Sequence, residues 1–321
     1  MEQIIPRKFA YFWLAICIIF APIKTNREHW QALAALSTDF PSVDETYQYL
    51  QLSSYLYDIH SEEDANKILP DSITVLLFED YTVNDATMVV YDEIQRFIAV
   101  VLCGSDTLND FLHDAEYRKV PFGPKEDPIN ENVGVHNGFN NVLFNKGNQT
   151  ECLYDRVKST LEEFLDENDS VDSNSYKVIT TGHSLGGGLS NLMAAGLTDA
   201  WMSESSSSEK SLGKRVNSIS FAPLLVADED FKEWYESMDC SLWRHVLQND
   251  IVARIPTEDI NYVVTGHTVW FQDTEDENDG CSTYYGHYGN YSQSYASVPN
   301  SYYGKCNLLH MSQYLVYYSF K

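Results

Sequence analysis

Positive charge is scarce in this chain: 21 Lys and Arg stand against 47 Asp and Glu, a formal net charge of −26 over 321 residues. Polyanions and anionic surfaces repel such a protein, so nucleic acid is not an expected partner, and the excess of carboxylates serves solubility outside the cell. The N-terminus is short of a comfortable membrane-spanning run. Its apolar stretch, Phe9 to Phe20, has 12 residues, too few to span a bilayer comfortably, and it stays short with Ala21 to Ile23 added. A calcium loop is missing as well. The acidic run Asp273 to Gly280 places Glu275, Glu277 and Asp279 at the first, third and fifth positions of an EF-hand loop. Its last position is then Gly286, where a bidentate Glu is required, so a solvated loop is expected and no metal or cofactor. No internal repeat and no linker divide the chain, which reads as one domain.

Arg7 and Lys8 followed by the short apolar stretch have the form of a signal peptide, with residues 1–23 removed and 24–321 forming the mature domain. A retained signal anchor is the alternative to secretion. Export agrees with acceptor triplets for N-glycosylation at Asn148, Asn168 and Asn290. Of six cysteines, Cys17 would leave with the signal, and the odd number remaining implies at least one thiol. Cys103, in an apolar strand, is the candidate. Cys281 is expected to pair with Cys306, closing a Tyr/Gly/Ser-rich stretch, and Cys152 with Cys240 by elimination.

Helical patterns cover Glu28 to Ser37, Asp44 to Ile59, Asn141 to Leu165 with a break near Gly147, Leu185 to Leu197, and Leu309 to Tyr318. Strands are expected at Ile73 to Phe78, Met88 to Tyr91, Phe97 to Leu102, Val178 to Thr181, Val216 to Phe221, Arg244 to Leu247 and Tyr262 to Phe271. The Ser-rich segment Ser203 to Ser211 reads as a surface loop. Strands alternating with helices predict an α/β class: a central, mostly parallel sheet flanked by helices.

Between the strand ending at Thr181 and the helix starting at Leu185, the run Gly182-His183-Ser184-Leu185-Gly186 fits G-x-S-x-G. This is a nucleophile elbow, a turn so tight that the serine backbone is strained and no Cβ fits two residues to either side. The Ser184 hydroxyl then stands at a helix N-terminus, whose N–H groups favour negative charge. Hydrolases with this elbow order their triad serine, acid, histidine. Asp250 follows the strand His245 to Gln248, and a carboxylate at the C-terminal end of a strand points into the crevice where such sheets bind ligands. Three histidines follow it. His267 lies in a strand-like run and reads as a packed or edge residue, His287 lies in a Tyr/Gly-rich loop, and His310 opens the last helix. His310 is therefore the candidate base, taking the Ser184 proton while Asp250 orients the imidazole and stabilises its cation. The N–H groups of Leu185 and Ser105 are the candidate oxyanion donors, Ser105 following the strand that ends in Cys103-Gly104.

From about Phe97 onward the chain resembles the fungal lipases of the class 3 group, within the α/β-hydrolases. The resemblance rests on Cys103-Gly104-Ser105 with Asn109-Asp110-Phe111-Leu112-His113-Asp114, on Val135-His136-Asn137-Gly138-Phe139, on the elbow, on Asp250 to Pro256, and on His310 with Tyr314. It implies an α/β-hydrolase fold with a short lid helix, Ser184, Asp250 and His310 as triad, and Ser105 and Leu185 as oxyanion donors. It also implies that Asp114 accepts a hydrogen bond from the Ser105 hydroxyl when the lid opens, and a structural role for His136 beside the elbow. Two positions depart from the family: Cys103 where Arg is usual, and Ala253 where Pro is frequent. The missing Arg puts the rigidity of the oxyanion strand in question.

Leu108, Phe111 and Leu112 fall at i, i+3 and i+4 and share one face of a short helix. Directly after the oxyanion residue, that face would cover the acyl pocket in water and spread on a lipid surface. The expected activity is hydrolysis of acylglycerol esters at a lipid–water interface. A carboxylesterase or feruloyl-type esterase on soluble esters, and a secreted non-catalytic binding protein of the same fold, are the alternatives.

Overall fold

Short runs of Val, Ile, Phe and Thr build the centre of the molecule, because strands covered on both faces need apolar side chains at every position. The computed structural model describes residues 41, 43–80, 86–104, 117–168, 176–205, 216–238, 240–247, 250, 252–256, 260–274 and 283–287. The expected signal peptide, the helices at 28–37 and 309–318, Ser105, the lid segment 108–114, Cys281, Asn290, Cys306 and His310 lie outside the described residues.

The chain enters through helices α1 (Val43–Tyr55) and α2 (Glu62–Ile68), then forms strands β1 (Ile73–Asp80), β2 (Ala86–Asp92) and β3 (Phe97–Leu102). A hairpin follows, β4 (Lys119–Phe122) and β5 (Asn130–His136), and then helices α3 (Asn137–Phe144) and α4 (Leu153–Glu167). The second half alternates β6 (Lys177–His183), α5 (Leu185–Ser205), β7 (Val216–Phe221), α6 (Glu229–Glu236) and β8 (Leu242–Leu247), and closes with β9 (His267–Thr274) and β10 (Thr283–His287).

Eight strands form one sheet in the order β1-β2-β3-β6-β7-β8-β9-β10. From β3 to β9 the neighbours pair in parallel, while β1, β2 and β3 pair antiparallel and β10 pairs antiparallel with β9. Parallel neighbours need long crossovers, which the helices provide. The register sets Leu102 opposite Gly182, His183 opposite Phe221 and Phe221 opposite His245, so the strands end along one edge. Alternation along β3 shows the two covered faces. Ile98, Val100 and Leu102 join the core beneath α3, α4 and α5, whereas Phe97, Ala99, Val101 and Cys103 join the core beneath α1. Helix α1 keeps that second face dry with Tyr49, Leu50 and Leu52, joined by Leu56 just past its end.

The mostly parallel α/β sheet is as expected, and the structure also corrects the reading in detail. The break expected near Gly147 separates two helices, Gly147 at φ 54° turning the chain between them, and the first begins earlier than expected, at Asn137. The strand expected from Tyr262 starts only at His267; Tyr262 and Val264 are buried but irregular, forming a small core with Leu225. That strand runs on through Asp273 and Thr274, the start of the expected acidic loop, and His287 ends β10 instead of lying in a loop. Helix α5 continues through Ser203 to Ser205, residues assigned to the Ser-rich loop. Cys152 and Cys240 are thiols, so the bridge reached by elimination is not made. Cys152 stands instead at the N-cap of α4, and Cys240 follows the end of α6, its N–H donating to the Met238 carbonyl at 2.9 Å.

The small hairpin and α6 were not anticipated, and one carboxylate joins them. Asp228 caps α6 through the Phe231 N–H at 3.1 Å and accepts the Gly134 N–H of β5 at 3.1 Å. Among the described residues no helix is long and apolar enough to cross a membrane.

Candidate active site

β6 ends at His183 and α5 begins at Leu185, so Ser184 alone makes the turn, at φ 58°. A side chain in this left-handed region costs about 1 kcal/mol or more, and the surroundings must enforce it. Two backbone bonds do so: the Ser184 N–H donates to the Phe221 carbonyl at 2.9 Å, and the Gly188 N–H donates to the Ser184 carbonyl at 3.2 Å. The flanking glycines are needed for close approach. A Cβ on Gly182 would lie 2.4 Å from the Gly186 carbonyl carbon, and one on Gly186 would lie 2.1 Å from the Leu102 carbonyl oxygen. Elbow, helix start and the end of β3 are thus in mutual contact.

A buried polar network holds α5 against the sheet behind the elbow. Thr180 of β6 donates to the Ser190 carbonyl at 2.8 Å, the Ser190 hydroxyl donates to the Gly187 carbonyl at 2.8 Å, and the Ser218 hydroxyl of β7 donates to Asn191 Oδ1 at 2.9 Å. Satisfied polar groups in a dry interior fix one orientation of the helix. Leu185, the first residue of α5, is buried, and N–H groups of a first helical turn have no acceptor within the helix. Its N–H suits a developing oxyanion beside Ser184.

Asp250 lies three residues past the end of β8, at the same edge of the sheet. Its Oδ1 accepts the Val252 N–H at 2.9 Å. Burial pushes its carboxyl up to about 6, against the pull of that N–H and of Arg254. The following turn, Val252–Arg254, is held by Arg244 of β8, which is 1% exposed and whose guanidinium donates to the Ala253 carbonyl.

Three other histidines have distinct places. His136 caps α3, its Nδ1 accepting the Gly138 N–H at 3.0 Å, and burial lowers its pKa to about 4, which is the structural role expected of it. His267 starts β9, at the end of that strand away from the elbow edge, with its ring 4.8 Å from the Trp243 ring. His183, quoted in the motif without a role, has its Nδ1 within 2.8 Å of the Tyr57 hydroxyl.

Ser184 and Leu185 therefore meet as the motif implies, and Asp250 stands two strands from them along one edge, while Ser105, Leu108, Phe111, Leu112, Asp114 and His310 lie outside the described residues. Sequence reasoning missed Tyr57 and Arg244. An Arg inside the largely apolar Leu-Trp-Arg-His-Val-Leu strand was a usable signal, since a charge in a buried strand needs a reason. Tyr57 had no such signal, its partner being 126 residues away. Among the described residues, no group of three or more His, Cys, Asp or Glu is placed to hold a metal ion.

This geometry can be set beside known proteins. The model of the family Lipase (class 3) matches residues 99–260. A lipase of Rhizomucor miehei is 26% identical over 190 residues, 59% of this chain and 46% of that protein. The chain thus spans about half the length of the curated relative it matches. Among solved structures, lipase II from Rhizopus niveus superposes with a TM-score of 0.56 at 20% identity, covering 80% of this chain and 89% of that one. The native propeptide complex of the Rhizomucor miehei lipase gives 0.53 at 22% identity, covering 71% and 68%. At these identities the likeness concerns the fold, which is that of the α/β-hydrolases.

Proposed function

We propose that this chain, which belongs to the class 3 lipase family, is a secreted serine hydrolase that cleaves acylglycerol esters at a lipid–water interface. The observation that carries the reading is Ser184 held at φ 58° at the N-terminus of α5, with the Asp250 carboxylate at the same sheet edge. A strained serine at that point has a chemical use: its hydroxyl oxygen faces a helix end that stabilises anions.

In this reading His310 takes the proton as Ser184 Oγ adds to the acyl carbon. The Leu185 and Ser105 N–H groups hold the oxyanion. Collapse of the tetrahedral adduct releases the alcohol, which leaves with the proton from the His310 imidazolium. Water, deprotonated by the same imidazole, then hydrolyses the acyl-enzyme and returns Ser184. Asp250 keeps the imidazole oriented and balances its charge. Ser184 is only 7% exposed, which supports a gated nucleophile, with Leu108, Phe111 and Leu112 on the covering face of a lid and Asp114 receiving the Ser105 hydroxyl when it opens.

A series of p-nitrophenyl esters of rising chain length, together with an emulsified triacylglycerol, tests the reading on wild type and Ser184→Ala. Hydrolysis that rises sharply once substrate forms an emulsion, and that falls by about 10⁶ in the variant, is the expected result. His310→Ala should fall comparably. Equal rates on monomeric and emulsified esters would point to a soluble-ester esterase. Absence of Ser184-dependent turnover on every ester would leave a binding protein.

A further inference from the structure

The end of α1 touches the catalytic edge at three points. The Ser53 hydroxyl lies 3.1 Å from the Thr181 hydroxyl of β6, which itself donates to the Ile219 carbonyl at 2.7 Å. The Cys103 thiol, one residue beyond β3, points at the Leu56 carbonyl at 3.9 Å. The Tyr57 hydroxyl is 2.8 Å from His183 Nδ1, with the two rings edge to face at 5.9 Å.

The third contact sits in an unusually tight notch. A Cβ on Gly104 would lie 2.0 Å from Tyr57 Oη and 2.6 Å from the His183 carbonyl oxygen. One phenol oxygen therefore meets the residue that leaves β3 and the residue that precedes the nucleophile. Packing alone does not require that oxygen, since a phenylalanine ring would fill the same space. His183 is joined by a single peptide to Ser184, whose backbone at φ 58° relaxes if its neighbour rotates. Tying the His183 ring to a fixed helix end opposes that rotation. The seam also answers the missing Arg at position 103, because Leu56 and Tyr57 hold the strand end there.

We infer that Tyr57 is a positioning residue for the hydrolytic reaction, acting through His183 to hold the Ser184 elbow in register with the end of β3. This rests on the serine-hydrolase reading above. The Tyr57 hydroxyl reaches His183, the neighbour of the nucleophile, and so sets where the reacting hydroxyl stands.

Tyr57→Phe removes only the hydroxyl. With a soluble p-nitrophenyl butyrate substrate, and rates expressed per active site titrated with a phosphonate, kcat should fall about tenfold while KM changes less than about twofold, the pattern of lost transition-state geometry. Affinity for a boronic-acid transition-state analogue should fall by a similar factor. His183→Ala should match Tyr57→Phe, and the double variant should be no worse than either, because both remove one interaction. His183→Asn, whose amide can occupy the Nδ1 position, should retain most of the rate. Wild-type kcat and analogue affinity in Tyr57→Phe, additive losses in the double variant, or a loss confined to the fraction of titratable sites would each overturn the inference alone. A wild-type chain inert to every ester would overturn the hydrolase reading and this inference with it.

Discussion

Arg244 Nη2 donates to the Ala253 carbonyl at 2.9 Å and to the Pro223 carbonyl at 3.2 Å, so one buried guanidinium ties the turn after Asp250 to the loop after β7. Its Nη1 reaches the Thr268 hydroxyl of β9 at 3.5 Å, which brings the next strand into the same arrangement. A fork of fixed geometry can serve three elements at once; an ammonium cannot.

Arg244→Met should therefore leave two buried carbonyls without their donor and lower stability by about 3 kcal/mol. Arg244→Lys should lose part of that, since a single charged point reaches one carbonyl at a time. Both should lower kcat more than KM through the loosened Asp250 turn. Urea unfolding and soluble-ester kinetics on the same preparations provide the check. A fully stable Arg244→Met with intact turnover would show that the turn holds itself.

Ser184 is held where glycine would be at ease. Ser184→Gly should abolish hydrolysis and yet raise stability by about 0.5–1 kcal/mol, offset in part by the greater freedom of glycine in the unfolded chain. Differential scanning calorimetry at neutral pH reads this directly. A variant less stable than wild type would mean that the hydroxyl contributes packing or bonding that outweighs the backbone strain.

Asp250 links activity and stability to pH with opposite signs. Its carboxyl is raised from 3.8 to about 6 by burial, so below pH 6 it is protonated and no longer supports an imidazolium. kcat/KM on a soluble ester should fall as pH drops through about 6. For stability, a folded pKa above the unfolded one means that the folded state binds the proton more tightly. That contribution is present at pH 4 and is lost as pH rises through 6. Asp250→Asn should consequently gain on wild type between pH 4 and pH 7, by up to about 3 kcal/mol. Parallel stability curves for the two proteins would contradict the buried-carboxylate account.

Net charge sets a condition on the interface. Fatty acid released from an emulsion makes its surface anionic, and a protein of net charge −26 is repelled from it. Raising ionic strength from 10 to 150 mM shortens the screening length from roughly 30 to 8 Å and should increase the emulsion rate, leaving soluble-ester turnover nearly unchanged. Identical emulsion rates at both salt concentrations would rule out long-range repulsion as a barrier.

What could be read from sequence follows from the range of the forces involved. The elbow was legible because its requirements are local: a strand of β-branched residues, two glycines whose hydrogens alone fit against backbone, and a helix of Leu, Met and Ala. Asp250 was legible because a carboxylate just past a strand end has a known direction. The hairpin β4–β5 was not, since Lys119–Phe122 contains Pro121 and Asn130–His136 is polar at its start, so neither carries the alternation of a half-buried strand. It is tied down by Asp228, 94 residues beyond Gly134. The Cys152–Cys240 pairing failed for a related reason. Elimination counts thiols without asking which segment each one is anchored to, and here Cys152 starts α4 while Cys240 follows α6.

The parallel register that gathers Gly104, Ser184 and Asp250 on one rim sets the opposite rim apart from the proposed chemistry. The hairpin between β2 and β3 turns there, at Glu93 to Arg96, with Ile94 82% exposed and the bend braced by Asp92 accepting the Ile94 and Gln95 N–H groups at 2.8 Å. A strand of six residues puts that bend roughly 20 Å from the chemistry. A cysteine at position 94 would thus let the molecule be tethered to a bead or a sensor with its working side facing outward.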